Sequence, residues 1–135
     1  MDIYSDGGAR GNPGPAASAF IVLDDGNVIY KDSKFLGKAT NNVAEYQGVL
    51  LALAWLVNSS IQYPVSSIQF FMDSELIVHQ INGHYKVKDK KLKELFLEVQ
   101  AFLKKIQPKI IFKNIPRTKN KLADFLVNKT LDERS

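Results

Sequence analysis

The chain of 135 residues has no cysteine and only two histidines. Disulfides and thiolate metal centres are therefore excluded, and so few histidines argue against a zinc site, so any metal has to be held by oxygen. No apolar run approaches the roughly 20 residues that a membrane-spanning helix needs, and Met1 leads directly into a strand-like segment without a basic-then-apolar leader. These features point to a soluble, cytoplasmic protein with no membrane partner. Neither the phosphate-loop pattern ending in Gly-Lys-Ser/Thr nor Gly-x-Gly-x-x-Gly occurs, which disfavours a nucleotide-binding protein. Internal repeats, low-complexity tracts and linkers are also missing.

The chain is 45% apolar, enough for residues 1–135 to form one domain with its own core. The formal charge of +4 and a pI near 9.2 suit a polyanionic partner but do not identify one. Lysines crowd the segments Lys86–Lys93 and Lys113–Lys121, although such runs serve equally as solvated faces.

The apolar pattern predicts the element order βββαβααβα. Residues 2–5 read as a strand ended by Asp6-Gly7-Gly8, and the Gly- and Pro-rich stretch through Pro15 reads as a loop. Residues 19–23 and 28–30 flank Asp24-Asp-Gly-Asn27, a hairpin signal. From Asn42 to Asn58, Val43, Tyr46, Leu50, Leu53, Ala54 and Val57 recur at helical spacing, with Trp55 assigned to the core. A strand over 68–72 precedes a short helix capped by Ser74. A longer helix from Asp89 to Ile106 carries Leu92, Leu95, Phe96, Val99, Phe102 and Leu103 on one side. After Pro108 come a strand over 110–115 and a last helix from Asn120. This order implies an α/β fold: a five-stranded mixed sheet, three antiparallel strands then two parallel ones, flanked by helices.

Four acids lie in four separate stretches, each beside turn or cap residues: Asp6, Glu45, Asp73 and Asp124. Each has a local explanation. Asp6 can shape a turn, Glu45 can complete a capping box with Asn42, Asp73 can begin the turn into the next helix, and Asp124 can favour a helix N-terminus near Asn120. Brought together, the four instead make an oxygen pocket for hard divalent ions such as Mg²⁺ or Mn²⁺, two of which can drive hydrolysis of a phosphate ester. Clustered carboxylates repel and take up protons unless cations compensate, so clustering itself argues for metal. His79 and His84 are assigned ordinary surface or partly buried roles.

The opening Asp-Gly-Gly-x-x-Gly-Asn-Pro-Gly, then Thr-Asn-Asn-x-x-Glu, then Asp-Ser-x-x-x-x-x-x-Ile, and finally Asn-x-x-x-Asp-x-Leu resemble, in this order, the motifs of type 1 ribonuclease H. The resemblance runs from Ile3 to about Leu131. It implies the ribonuclease H-like fold and an endonuclease that cuts the RNA strand of RNA–DNA hybrids by a two-metal-ion mechanism, leaving 3′-hydroxyl and 5′-phosphate ends. By this similarity Asp6, Glu45, Asp73 and Asp124 are the catalytic and metal-binding acids. Arg10, Gly11, Asn12 and Asn41 match positions that touch RNA 2′-hydroxyls, and Thr40 with Asn12 those that grip a DNA phosphate. Arg117 stands where many relatives carry a loop histidine, as in the archaeal and plant-like branch, and can steer the scissile phosphate. The segment from Tyr85 to Lys93 lacks the extra basic helix of some relatives, which implies weaker, more salt-sensitive binding. The implied cofactor is two Mg²⁺ or Mn²⁺ ions and the implied partner an RNA–DNA hybrid, with double-stranded RNA a further candidate and the protein a monomer. The rival readings are a non-catalytic nucleic-acid-binding module on the same fold and an exonuclease of the same superfamily. The second is disfavoured because Gly7 and Gly8 follow Asp6, where such enzymes place a second acid.

Overall fold

A computed structural model describes residues 1–59 and 67–134. Asp25 and Gly26 have φ of +50° and +79°, the backbone of the tight hairpin expected from an Asp-Gly pair. They join β2 (Gly14–Asp24) to β3 (Asn27–Ala39), and β1 (Asp2–Ala9) pairs antiparallel with β2 on its other side. α1 (Asn41–Asn58) leads to β4 (Ser67–Met72), then α2 (Glu75–Ile81), α3 (Lys90–Lys105) and β5 (Lys109–Asn114). A 3₁₀ turn over Arg117–Lys119 and α4 (Lys121–Asp132) complete the order. The strands lie in the order β3-β2-β1-β4-β5, with β4 parallel to β1 and β5 parallel to β4. This is the five-stranded mixed sheet of the ribonuclease H fold.

Helices cover both faces of the sheet. α1 lies against β1 and β2 with α3 behind it, while α4 packs on β1, β2 and β3. The larger core, on the α1 side, includes Ile3, Phe20, Tyr46, Leu53, Phe70 and Val99, all essentially inaccessible to water. Burying each such side chain contributes about 1.5–3 kcal/mol before the entropy of ordering is subtracted. A smaller core under α4 joins Ala17 and Ala19 to Val127 and Leu131; the alanines let the helix lie close to the strand.

Four elements differ from expectation, the first being β2, which begins at Gly14 rather than Ala19 and takes in Pro15. β1 continues through Gly7 and Gly8 to Ala9 rather than turning at Asp6, because β2 pairs with it residue by residue as far as Ala9↔Ala16. Glycine is needed here for close approach: a Cβ on Gly7 would collide with the Ala44 carbonyl of α1, and one on Gly48 would stand 2.8 Å from the Asp6 carbonyl oxygen. β3 extends to Ala39 as a mostly exposed edge strand, whose lysines and aspartate carry no hydrophobic alternation and whose charge protects an edge from pairing with another chain. Along α1, Val57 is exposed whereas Val49, Ala52 and Leu56 are buried. The sheet on one side and α3 on the other bury an arc wider than a single stripe. Trp55 is half-buried against the core and stacks on Tyr30 at 5.1 Å between ring centroids.

Candidate metal centre

The parallel pairing of β1 and β4 places the first two acids. Tyr4 pairs with Phe71; two residues further along each chain come Asp6, still on β1, and Asp73, in the bend that directly follows β4. Residues two apart share a face of the sheet, and neighbouring strands lie about 4.8 Å apart. α1 brings the third acid. Its N-cap is Thr40, whose Oγ1 accepts from Val43 N at 3.2 Å. The cap therefore lies two residues earlier than Asn42, and Glu45 falls in the second turn, where a capping box cannot form. Gly7 and Gly48 let that turn rest on β1, and Glu45 reaches Asp6. One carboxylate oxygen each from Asp6, Glu45 and Asp73 lie within 4.8 Å of one another.

These carboxylates are costly to ionise together. Asp6 is buried, and burial, then the charge of Asp73, push its pKa from an ordinary 3.8 to about 7; a hydrogen bond from Gly7 N–H works against the rise. Burial raises Glu45 well above the usual carboxylate range, reinforced by Asp6 and Asp73. The side-chain interaction between Asp6 and Glu45 lowers the pKa of the first and raises that of the second, the pattern expected when a carboxyl on Glu45 faces a carboxylate on Asp6. Asp73 is raised by burial, while Asn120 and Arg117 lower it. Glu45 Oε2 is buried and accepts no hydrogen bond among the described residues. A carboxylate that has a buried, partnerless oxygen and lies close to two more carboxylates is suited to a hard, oxygen-seeking cation. Asp6, Glu45 and Asp73 fit such an ion.

Asp124, on the first turn of α4, lines the same open cleft of about 480 Å³ but stands outside the close trio. It pairs with Arg117 at 3.7 Å, and its charge adds to the upward shifts of Asp6 and Asp73. Asn128 Nδ2 donates to the Asp124 carbonyl at 3.0 Å and lies 3.4 Å from its Oδ1.

The remaining expected residues surround this cleft with differing freedom. Gly11 has φ +87° and precedes a cis Asn12–Pro13 bond. Asn12 Oδ1 accepts from Asn41 N at 3.0 Å, and Asn41 Oδ1 accepts from Ala9 N at 2.8 Å. Both amide oxygens are thus used in holding the β1–β2 loop to α1, leaving the two NH₂ groups as donors. Arg10 is turned onto α4, 2.6 Å from Asp132 and 3.4 Å from Asn128 Oδ1. Arg117 is largely exposed at the rim.

Two residues have roles at the site that the sequence reading does not assign. Asn120, 1% exposed, makes no side-chain cap to α4 and instead donates to Ser5 O at 2.8 Å and to Asp73 Oδ2 at 3.3 Å. Its cap-like position before a helix hid that role. Asn128 joins Arg10 to Asp124; its spacing of four from Asp124, one helical turn, is the signal that was there.

Residues 4–130 match the Reverse transcriptase-like family. LC11-RNase H1, isolated from compost, is 43% identical with a TM-score of 0.92, the match covering 98% of this chain and 96% of that one. A second structure of LC11-RNase H1, in complex with an RNA/DNA hybrid, superposes with a TM-score of 0.90 at 41% identity, covering 98% and 97% of the two chains. The bifunctional protein Rv2228c of Mycobacterium tuberculosis is 36% identical over 132 residues, 96% of this chain but only 35% of its own length. Ribonuclease HI of Halobacterium salinarum is 32% identical over 131 residues, 96% of this chain and 63% of the relative. The chain thus spans about a third of the mycobacterial relatives it matches. Order of motifs, sheet topology and likeness over almost the full length agree, and the chain belongs to the type 1 ribonuclease H family.

Proposed function

We propose that this protein is a metal-dependent endonuclease that hydrolyses the RNA strand of RNA–DNA hybrids, leaving 3′-hydroxyl and 5′-phosphate ends. The observation that carries the reading is the meeting of Asp6, Glu45 and Asp73 within 4.8 Å, an arrangement unfavourable to its own carboxylates without cations. Asp6 and Asp73 would be shared near one Mg²⁺ or Mn²⁺ ion, Glu45 would serve a second, and Asp124 completes the acidic set from the rim. When bound, such ions lower the pKa of water and stabilise charge on the phosphate. The complex of LC11-RNase H1 with a hybrid supports the choice of substrate.

The protein's own groups orient the duplex. The free amide donors of Asn12 and Asn41 are suited to RNA 2′-hydroxyls, the group that distinguishes RNA from DNA at one nucleotide. The Thr40 hydroxyl accepts from Val43 N, which leaves its own proton to donate to a DNA phosphate. Gly11 keeps the loop free of side-chain bulk. Arg10 acts through its backbone, since its guanidinium is engaged on α4. Arg117 lowers the pKa of Glu45 and Asp73 and can hold a phosphate at the rim.

The test is a gel assay of labelled hybrid, single-stranded RNA, duplex RNA and duplex DNA with Mg²⁺, Mn²⁺ or chelator. The expected result is metal-dependent cleavage of the hybrid's RNA strand, abolished in Asp6→Asn and Asp73→Asn proteins that still bind hybrid. Binding without strand loss in the unmutated protein would instead establish a non-catalytic module.

A further inference from the structure

The two histidines lie away from the carboxylate cleft and do not stand apart from each other. His79 occupies the last turn of α2, after which Gly83, at φ +83°, reverses the chain. The reversal is fixed by the backbone: His84 N donates to His79 O at 2.8 Å and Tyr85 N donates to the same oxygen at 3.2 Å. His84 is thereby brought back over the helix end, with its Nδ1 3.2 Å from His79 Nδ1. Tyr85 packs its ring against His79 at 4.7 Å between centroids. On the other side of the His79 ring, Glu75 Oε1 stands 3.7 Å from Nε2, one helical turn back.

Two imidazole nitrogens bound at about 2.0–2.1 Å to one tetrahedral ion are about 3.3 Å apart. The observed Nδ1 separation of 3.2 Å matches that spacing. We propose that His79 and His84 form a two-point site for a borderline divalent ion of the Zn²⁺ or Ni²⁺ class, bound through both Nδ1 atoms, with water in the remaining positions. The ion displaces to solvent the proton that the Nδ1···Nδ1 contact otherwise requires. Nε2 of His79 then carries the ring proton and faces the Glu75 carboxylate, the outer partner that a metal-bound imidazole commonly has. Mg²⁺ prefers oxygen ligands and does not compete here. Occupancy ties the turn over 82–85 to α2, directly before the lysine-bearing segment from Lys86. The small number of histidines argues against a closed four-ligand zinc site, but a pair at chelating distance needs only two of them.

The site is independent of the proposed nuclease activity, and its test reads binding rather than cleavage. The full chain is titrated with NiCl₂ or ZnCl₂ by calorimetry in excess Mg²⁺, alongside His79→Gln, His84→Gln and Asp73→Asn. One binding event is expected in the unmutated protein and in Asp73→Asn, weakened at least about tenfold by either histidine substitution. In the unmutated protein the first equivalents of Ni²⁺ are expected to broaden the His79 and His84 imidazole resonances ahead of all others. Three outcomes would each overturn the proposal: binding unchanged in both histidine variants, binding lost in Asp73→Asn, or no binding below about 1 mM.

Discussion

Asp6→Asn removes the group whose ionisation the fold opposes, so in chelator at alkaline pH the variant should be more stable than the parent protein. The folded protein keeps its Asp6 proton up to about pH 7, whereas an ordinary aspartate releases it near 3.8. Between those values the folded state binds more protons than the unfolded chain, so stability falls as pH rises and levels off above about 7. A difference of about 3 pH units corresponds to at most about 4 kcal/mol at about 1.4 kcal/mol per unit. Sharing of the proton with Glu45 and local relaxation reduce this, so about 2 kcal/mol is expected. For a chain of this length that is a rise in melting temperature of about 7 °C. The assay is thermal and urea denaturation of both proteins from pH 4 to 8 with EDTA, repeated with saturating Mn²⁺. The two proteins should converge near pH 4 and diverge toward pH 8, and Mn²⁺ should stabilise the parent more than the variant. A parent protein whose metal-free stability rises between pH 5 and 8, or equal melting temperatures at pH 8, would refute the electrostatic account.

Asn120→Ala leaves the Ser5 carbonyl unpaired in the interior and removes a hydrogen bond that lowers the Asp73 pKa. Urea melts should show a loss of about 2 kcal/mol, and calorimetry weaker Mn²⁺ binding. Gly7→Ala pushes α1 off β1 and should cost about 3 kcal/mol, with a loss of Mn²⁺ affinity that Gly8→Ala, whose added carbon meets only the Val127 side chain at 3.8 Å, does not share. Arg117→Ala should change stability by less than about 0.5 kcal/mol, as expected for an exposed residue. It also removes a charge that lowers the Glu45 and Asp73 pKa values, so the acid limb of the cleavage profile should move to higher pH.

Local chemistry made part of this architecture legible beforehand. Asp24-Asp-Gly-Asn27 specified its hairpin, Ser74 caps α2 as expected through its Oγ and Ile77 N, and the apolar side of α3 is the one that packs. Legibility ended where long-range contact overrides local signal. Gly7 and Gly8 read as a turn in isolation, yet they are strand residues because helices approach β1 from both faces. Lys31 to Lys38 lacks any hydrophobic alternation, so β3 could not be followed to its end. Thr40, rather than Asn42, caps α1, which moved Glu45 from a capping position into the interior. At the site, motif order identified the three acids that converge, but it could not show that Asp124 stays at the rim. Nor could it show that Asn120 turns away from its helix to hold Asp73, a contact across 47 residues.

The in-step alignment of the two central parallel strands carries a further implication for folding. Side chains alternate between faces of a sheet, so a slip of β4 by one residue against β1 would send Asp73 to the opposite surface and dissolve the ion-binding trio. Such a molecule would keep its helices and much of its sheet, and a helical circular-dichroism signal would count it as native. Titration with Mn²⁺ would not, which makes cation uptake a stricter measure of correct refolding than secondary-structure content.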